Sequence, residues 1–148
     1  MTNTPMTLAL ASDHGGLELK NYIKSYLATH YPQYNMLDFG TQDTASVDYP
    51  DYAKKVAQSI LKNECECGIL VCGTGIGISI AANRFKGIRA ALVHNDFTAE
   101  MSKAHNNANI LCLGGRTTSK EDACRYIDIW LKTPFEGGRH QIRLDKLE

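Results

Sequence analysis

Short apolar runs alternate with longer amphipathic segments along the chain. The amphipathic segments carry apolar residues at helical spacing, as at Leu19, Ile23 and Leu27, with Lys20 and Lys24 expected on the solvent face. The five predicted strands are 7–12, 35–39, 69–72, 87–93 and 109–113. Because strands that alternate with helices form parallel sheets, the pattern predicts an α/β fold. We expect a three-layer α/β/α Rossmann-like sandwich around a five-stranded parallel sheet.

The third predicted strand ends in a cysteine that is followed by a glycine-rich loop. Cys72 is its last residue, and Gly73, Gly75 and Gly77 alternate as the next helix opens. The first N–H groups of a helix lack partners within the helix, so this position can bind an anion, stabilise an oxyanion or favour a thiolate. Simple packing is the alternative for the glycines, and for Cys72 as a small buried residue. The place of Cys72 at the start of the loop favours a functional role.

Two common nucleotide-binding patterns fit this loop poorly. It lacks the Gly-Lys-Ser/Thr sequence of a P-loop, and it follows the third strand, whereas a dinucleotide-binding loop follows the first. Asp96 lies roughly 20 residues further on, where a ribose-binding carboxylate would be expected. The spacing therefore leaves a dinucleotide site open.

Polar residues follow the other predicted strands as well. In chain order they are Asp13-His14, Tyr49, Asn95-Asp96 and Arg116. The carboxyl ends of parallel strands share one edge of the sheet, and ligands bind there. Each residue also has a simpler interpretation as a helix cap, a turn residue or a surface charge. Asp13 and His14 beside a thiol would make acid–base chemistry possible.

Further candidates lie in the last third of the chain. His105 ends the apolar face of its own helix, where a hydrogen-bonded core histidine is the alternative to a catalytic one. Arg139 and Arg143 are four residues apart, so a helical tail would place both guanidinium groups on one side, in reach of a phosphate. A solvated tail is the alternative, because terminal segments are often disordered.

Composition narrows the classes of function. The 148 residues suit one domain, 1–148, and 16 basic side chains offset 16 acidic ones. Without a basic field, neither nucleic acid nor an anionic membrane is an expected partner. No apolar run reaches the roughly 20 residues of a membrane span, and residues 1–5 lack the character of a signal peptide, so we expect a cytoplasmic protein.

Cysteine usage points to reduced thiols. The chain has five cysteines, an odd number, in a sequence without secretory features. No pair has the CxxC spacing of a metal site, and no histidine lies near Cys65, Cys67 or Cys72 in sequence. We therefore predict no bound metal.

Several motifs, in this order, resemble the type B ribose-5-phosphate isomerases. They are Asp13-His-Gly-Gly16, Asp48-Tyr-Pro50, Gly68-Ile-Leu-Val-Cys-Gly-Thr-Gly-Ile-Gly-Ile-Ser-Ile-Ala-Ala-Asn83, Gly87-Ile-Arg-Ala90, His105-Asn106, Gly114-Gly-Arg116 and Glu136-Gly-Gly-Arg-His-Gln-Ile-Arg143. The resemblance implies interconversion of ribose 5-phosphate and ribulose 5-phosphate in the non-oxidative pentose phosphate pathway. It implies no metal or organic cofactor. It also implies a homodimer with shared active sites, and we expect residues 134–148 to dock at the dimer interface.

The resemblance also implies roles for individual residues. Cys72 would take the C2 proton, and Asp13 would move protons at the substrate oxygens. His105 would donate the proton in ring opening, with Tyr49 as a second candidate. The enediolate would be wrapped by a loop in which Thr74 is also catalytic: Gly73, Thr74, Gly75, Ile76 and Gly77. The sugar and its phosphate would be bound by His14, Asn106, Arg116, Arg139 and Arg143.

The resemblance leaves other possibilities within and beyond the family. In one branch a glutamate just after the last glycine of the loop replaces the cysteine, but Ile78 occupies that position, so the chain resembles the thiol branch. The related galactose-6-phosphate isomerases divide the site residues between two different subunits, whereas this sequence carries the whole set. A six-carbon substrate such as allose 6-phosphate and a non-catalytic phosphosugar- or nucleotide-binding module stay open.

Overall fold

A five-stranded parallel sheet forms the centre of the computed structural model, which describes residues 6–148. The strands are β1 (Thr7–Ser12), β2 (Asn35–Asp38), β3 (Cys67–Cys72), β4 (Ala90–Leu92) and β5 (Ile110–Gly114). Their order is β2-β1-β3-β5-β4, and every neighbouring pair is parallel. The expected domain, 1–148, and the signal-peptide expectation both include residues 1–5, which lie outside the described residues.

Helices cover both faces of the sheet. They are α1 (Leu17–His30), α2 (Tyr49–Leu61), α3 (Ile76–Ala82), α4 (Asp96–Ala104), α5 (Lys120–Lys132) and α6 (Arg139–Asp145). The first, fourth and fifth pack on one face of the sheet, and the second and third pack on the other. This arrangement confirms the predicted α/β/α sandwich.

Strand β3 is buried along its whole length because both of its faces are covered. Ile69 and Val71 face the α1 and α5 layer, and Leu70 and Cys72 face the α2 and α3 layer. Gly68 has no room for a side chain, since a Cβ atom there would lie 2.5 Å from Cγ1 of Val56 on α2. The central strand therefore presents Cys72 toward α3.

The predicted boundaries differ most from the structure at the starts of β4 and α2. Strand β4 begins at Ala90, not at residue 87, because the Asn109 side chain bonds the backbone of Gly87 and Arg89 at 2.9 and 2.8 Å in place of strand pairing. Tyr49 was expected in a loop but is the first residue of α2, where Pro50 is favourable because the first turn needs no N–H donor from it.

The predicted solvent face of α1 was also wrong at one position. Lys24 is exposed as expected, but the side chain of Lys20 has no solvent-accessible surface. The two lysines are four residues apart, so the helical periodicity did not distinguish them. Burial of Lys20 depends on an acidic partner, Asp38, that arrives from β2.

Helix α4 begins with an N-terminal capping box. The side chain of Asn95 accepts a hydrogen bond of 2.7 Å from Thr98 N–H, and Thr98 Oγ1 accepts one of 3.2 Å from Asn95 N–H. Helix α4 starts just after the end of β4 and runs back toward the start of β5.

Within the described part of the chain, none of the helices combines the length and apolar character of a bilayer-spanning segment.

Trp130 is the largest fully buried side chain, and its indole N–H donates a 3.0 Å hydrogen bond to Ala108 O. We predict that Trp130→Ala lowers the free energy of unfolding by about 3–5 kcal/mol because it leaves a cavity. Trp130→Phe keeps most of the buried area and should cost about 1–2 kcal/mol for the unpaired carbonyl. Urea denaturation followed by circular dichroism measures both. Equal losses would contradict the view that buried volume dominates.

Candidate active site

The loops that follow β1, β3 and β5 meet at the carboxyl edge of the sheet. At this edge the chain turns from β1 toward β2 on one side, and from β3 toward β5 and β4 on the other. Asp13 N–H donates to Val71 O at 3.3 Å, and Gly115 N–H donates to Cys72 O at 2.8 Å. Arg116 N–H donates to the Gly73 carbonyl at 2.9 Å. The divergence point of such sheets is where ligands bind.

Cys72 lies at the base of these loops with 4% of its surface exposed. Its Sγ accepts a hydrogen bond of 3.1 Å from Gly75 N–H. Gly75 has a φ of +79°, and a Cβ atom there would lie 2.6 Å from Leu92 Cδ1, so only glycine suits this turn. An N–H donor directed at sulfur stabilises negative charge on it. The loop therefore directs a backbone N–H donor at the Cys72 sulfur.

Arg116 places positive charge beside the thiol-bearing loop. A Cβ atom on Gly73 would lie 3.0 Å from Nη1 of Arg116, and one on Gly15 would lie 3.3 Å from Nη2. The guanidinium group thus lies against the loops that follow β1 and β3. It is exposed to solvent and can bind an anion at this edge.

Asp13 and His14 are held by the turn that follows β1. Asp13 is 7% exposed, and its Oδ1 accepts hydrogen bonds from Gly15 N–H at 2.9 Å and Gly16 N–H at 3.2 Å. The cap uses one carboxylate oxygen, so it is compatible with a ligand at the other. His14 Nδ1 accepts a 3.2 Å hydrogen bond from Val47 N–H, which leaves Nε2 to carry the proton of the neutral ring.

Tyr49 reaches the same edge from the start of α2. A Cβ atom on Gly77 would lie 2.7 Å from Cζ of Tyr49, so the phenol ring packs directly on the glycine-rich loop. Thr74 and Ile76 are exposed at the mouth of that loop, and Thr74 Oγ1 accepts a 3.2 Å hydrogen bond from Ile76 N–H. The loop residues and Tyr49 thus lie together at this edge of the sheet.

Four other candidate residues lie elsewhere in the chain. His105 and Asn106 follow the end of α4, at the edge where β5 begins, and the exposed Arg139 and Arg143 lie on α6. In the sheet, Cys72 pairs with Gly114 at the opposite end of β5. The first and the last residue pairs between β3 and β5 are four residues apart along the strands, a distance of about 13 Å. One chain does not bring these four residues to its own Cys72.

His105 belongs to a second polar cluster, which we call the histidine pair. Its ring stacks on that of His140, with centroids 4.0 Å apart and planes inclined by 14°. Oε1 of Glu136 lies 3.4 Å from His140 Nε2 and 3.8 Å from His105 Nε2. Burial lowers the pKa of His140 below its ordinary value, and nearby positive charge on His105 and Arg139 acts in the same direction. The tail is therefore ordered by specific contacts.

The histidine pair and Glu136 also offer the donor set of a metal site, since their ligand atoms all lie within 4.8 Å of one another. However, the lone pair of an imidazole nitrogen lies in the plane of its ring. With two nearly parallel rings, a point about 2.1 Å from both nitrogens cannot lie in both planes. The arrangement fits a stacked pair with a shared carboxylate better than it fits a metal.

Glu136 and His140 were not among the residues expected at the site. Their spacing of four was the available signal, because a helical tail would place the two side chains on one face. Nothing in the sequence indicated that His140 would stack on a residue 35 positions earlier.

Fold and site together define an α/β protein with a buried, hydrogen-bonded thiol at the ligand-binding edge of a parallel sheet. A family model described as "Ribose/Galactose Isomerase" matches residues 8–147. The chain therefore belongs to the ribose/galactose isomerase family.

Individual relatives extend over nearly the whole chain. A putative sugar phosphate isomerase of Rickettsia typhi is 52% identical over 141 residues, which cover 95% of this chain and 96% of the relative. The structure of a ribose 5-phosphate isomerase from Thermotoga maritima has a TM-score of 0.93 at 53% identity and covers 96% and 97% of the two chains. Ribose-5-phosphate isomerase B from Mycoplasma genitalium, with bound ribulose-5-phosphate, has a TM-score of 0.90 at 45% identity and 95% and 93% coverage.

We predict that His140→Phe improves stability in acid relative to neutral pH. Because the folded state lowers the pKa of His140 from 6.5, the unfolded chain takes up the proton first, and folding loses stability as the pH falls below that value. Phenylalanine keeps the stack without this penalty. Thermal unfolding at pH 5 and pH 8 should show a larger gain in Tm at pH 5.

The matched control for His140→Phe is His94→Phe, since His94 is exposed. It should give the same difference in Tm at both pH values. If the two variants respond alike, burial of His140 is not the source of the acid sensitivity.

Proposed function

We propose that the chain is an aldose–ketose isomerase that interconverts ribose 5-phosphate and ribulose 5-phosphate through an enediolate, in the non-oxidative pentose phosphate pathway. The observation that carries the proposal is the thiol of Cys72, 3.1 Å from the N–H of Gly75, in a chain of the ribose/galactose isomerase family. A relative that is 45% identical has been solved with ribulose-5-phosphate bound.

Cys72 is the base in this mechanism. When the thiol takes the C2 proton, negative charge develops on the oxygen of the neighbouring C1 carbonyl, and the thiol then returns the proton to C1 to give the ketose. Backbone N–H groups of the 73–77 loop stabilise that charge as it develops, and losing one such donor typically costs about 3 kcal/mol in the barrier. Asp13 moves protons between the oxygens, and Thr74 contributes its hydroxyl at the mouth of the loop.

The remaining groups bind the substrate and open its ring. His105 donates the proton in ring opening, with Tyr49 as a second candidate beside the loop. The sugar and its phosphate are bound by His14, Asn106, Arg116, Arg139 and Arg143. Contacts to the phosphate, remote from the reacting carbon, provide binding energy that orients C2 against the thiol. No metal or organic cofactor takes part.

The proposal includes a homodimer with shared active sites, and the position of these groups supports it. The loop above Cys72 contains none of the tail arginines of its own chain, so the partner's His105 and tail would complete each site. Large apolar side chains are exposed beside the loop and on the tail, with Ile80 61% and Ile142 62% accessible. Covering them on association would be favourable. Residues 134–148 would then dock at the interface.

The location that suits this chemistry is the cytoplasm, where substrate and reduced thiols occur together. All five cysteines are free and buried. A six-carbon phosphate such as allose 6-phosphate remains an alternative substrate, since the assigned residues contact the phosphate and the C1–C2 end.

The direct test is turnover by purified, chelator-treated protein. Ribose 5-phosphate should be converted to ribulose 5-phosphate, and allose 6-phosphate assayed in parallel gives the substrate preference. Binding of phosphosugars without turnover of either would reject the isomerase and support a binding module.

We predict that Cys72→Ala abolishes turnover while leaving the fold intact, because alanine removes the base and only one sulfur atom of packing. The circular dichroism spectrum and Tm report the fold, and a coupled assay reports kcat. Cys124→Ala is the matched control, since that thiol is also buried but lies on α5. Retained activity in Cys72→Ala would exclude the thiol as the base.

The shared site predicts complementation between two inactive variants. Cys72→Ala and His105→Ala should each be inactive alone. When the two are unfolded and refolded together, about half of the dimers contain one chain of each variant. Each of these mixed dimers has one intact site. The mixture should recover about a quarter of wild-type activity.

A second mixture combines two variants whose substitutions lie in the same half of the proposed site. Arg116 lies against Gly73 in its own chain, so Cys72→Ala mixed with Arg116→Ala should regain no activity. Recovery in this mixture, or none in the first, would contradict the proposed division of the site between chains.

A further inference from the structure

Lys20 is one of the largest fully buried side chains, although it is a lysine on an outer helix. Its ammonium group lies 2.8 and 3.0 Å from the two oxygens of Asp38 and 2.8 Å from Thr41 O. An ammonium group has three donors, so three acceptors match its full capacity. A charge this deeply buried is costly unless such contacts compensate it.

The carboxylate of Asp38 also has several hydrogen-bond donors around it. Burial raises the pKa of its carboxyl group, but hydrogen bonds from Lys20 and from Gly40 N–H outweigh this and hold the pKa below its ordinary value. Lys24 also contacts Asp38, at 3.2 Å, but the Lys24 side chain is 47% exposed. The same carboxylate therefore has one buried and one exposed lysine partner.

The buried pair fixes the backbone that follows β2. Lys20 Nζ donates to Thr41 O, and Asp38 Oδ1 accepts a 2.9 Å hydrogen bond from Gly40 N–H. This backbone then pairs with the last residue of β1. Ser12 N–H donates to Gly40 O at 2.8 Å, and Thr41 N–H donates to Ser12 O at 2.8 Å.

Ser12 directly precedes Asp13, so the contacts of Lys20 end one residue from the proposed active site. The same segment continues to Val47, whose N–H bonds His14 Nδ1, and then to Tyr49. The segment 40–49 is thus anchored at its start by Lys20 and near its end by His14.

We propose that Lys20 is a positioning residue, which holds Asp13 and His14 in their reactive arrangement through the backbone of Gly40 and Thr41. This inference rests on the proposed function, because the arrangement matters for turnover of a sugar phosphate. Lys20 does not contact the substrate. A buried ion pair is a weak source of stability compared with apolar side chains of similar size, whereas its directed hydrogen bonds define backbone geometry.

Three variants separate positioning from stability. Lys20→Met combined with Asp38→Leu replaces the pair by apolar side chains, which usually preserves stability. We expect its Tm to stay within a few degrees of wild type while kcat falls at least about tenfold, since small displacements of catalytic groups are costly. Lys24→Met removes only the exposed partner and should keep kcat within about twofold.

Asp38→Asn is the conservative variant. It retains an oxygen for Gly40 N–H and Lys20, so kcat should be closer to wild type than in the double variant even if Tm is lower. A double variant with wild-type kcat would overturn the proposal. So would equal loss of kcat in Lys24→Met and in the double variant.

Amide hydrogen exchange provides a readout that does not depend on turnover. The N–H groups of Ser12 and Thr41 should exchange faster in the double variant than in wild type. In Lys24→Met they should exchange at the wild-type rate. If the double variant fails to fold, exchange in Asp38→Asn still applies. Protection equal to wild type at both amides together with lowered kcat would then reject the proposal. If wild type shows no isomerase activity, the proposed function fails, while unchanged exchange in the double variant independently rejects the role of Lys20.

Discussion

The close approach of three backbone loops at one edge of the sheet is the constraint on which the site depends. Gly115 N–H bonds the carbonyl of Cys72, and a Cβ atom on Gly115 would lie 2.6 Å from Gly15 O. Side chains at these glycines would push the loops apart. The same closeness lets Gly75 N–H reach the Cys72 sulfur and lets the Arg116 guanidinium lie against two loops. Packing and chemistry therefore use the same glycines.

The connectivity of a parallel sheet explains why one chain carries the site residues in two places. A helix that follows a strand returns to the opposite edge, so α4 starts near the thiol edge and delivers His105 to the other. The tail then joins His105 through the stack with His140 and the nearby carboxylate of Glu136. The proposed association of two copies would combine thiol and imidazole in one site, and it would also cover exposed apolar side chains of α3 and α6.

The sequence alone determined the class of fold and most of the thiol edge. Apolar strands and amphipathic helices have distinct periods, so their alternation predicted the parallel sheet. The first strand was predicted at residues 7–12, where the structure has it. Cys72 ends a strand, and Asp13 and Arg116 lie within two residues after one. Parallel pairing brings these strand ends together whatever the order of the strands. Motif order then indicated the family, which the comparisons established.

Only the tertiary structure decided which distant side chains meet. Periodicity placed Lys20 and Lys24 alike on the wet face of α1, but Asp38 arrives from β2 and buries one of them. The stack of His140 on His105 likewise joins residues that no local pattern connects. The short edge strand β4 depends on the Asn109 side chain, which takes over backbone groups that the apolar run suggested for pairing. Local propensity acts over a few residues, whereas these contacts depend on how the whole sheet is assembled.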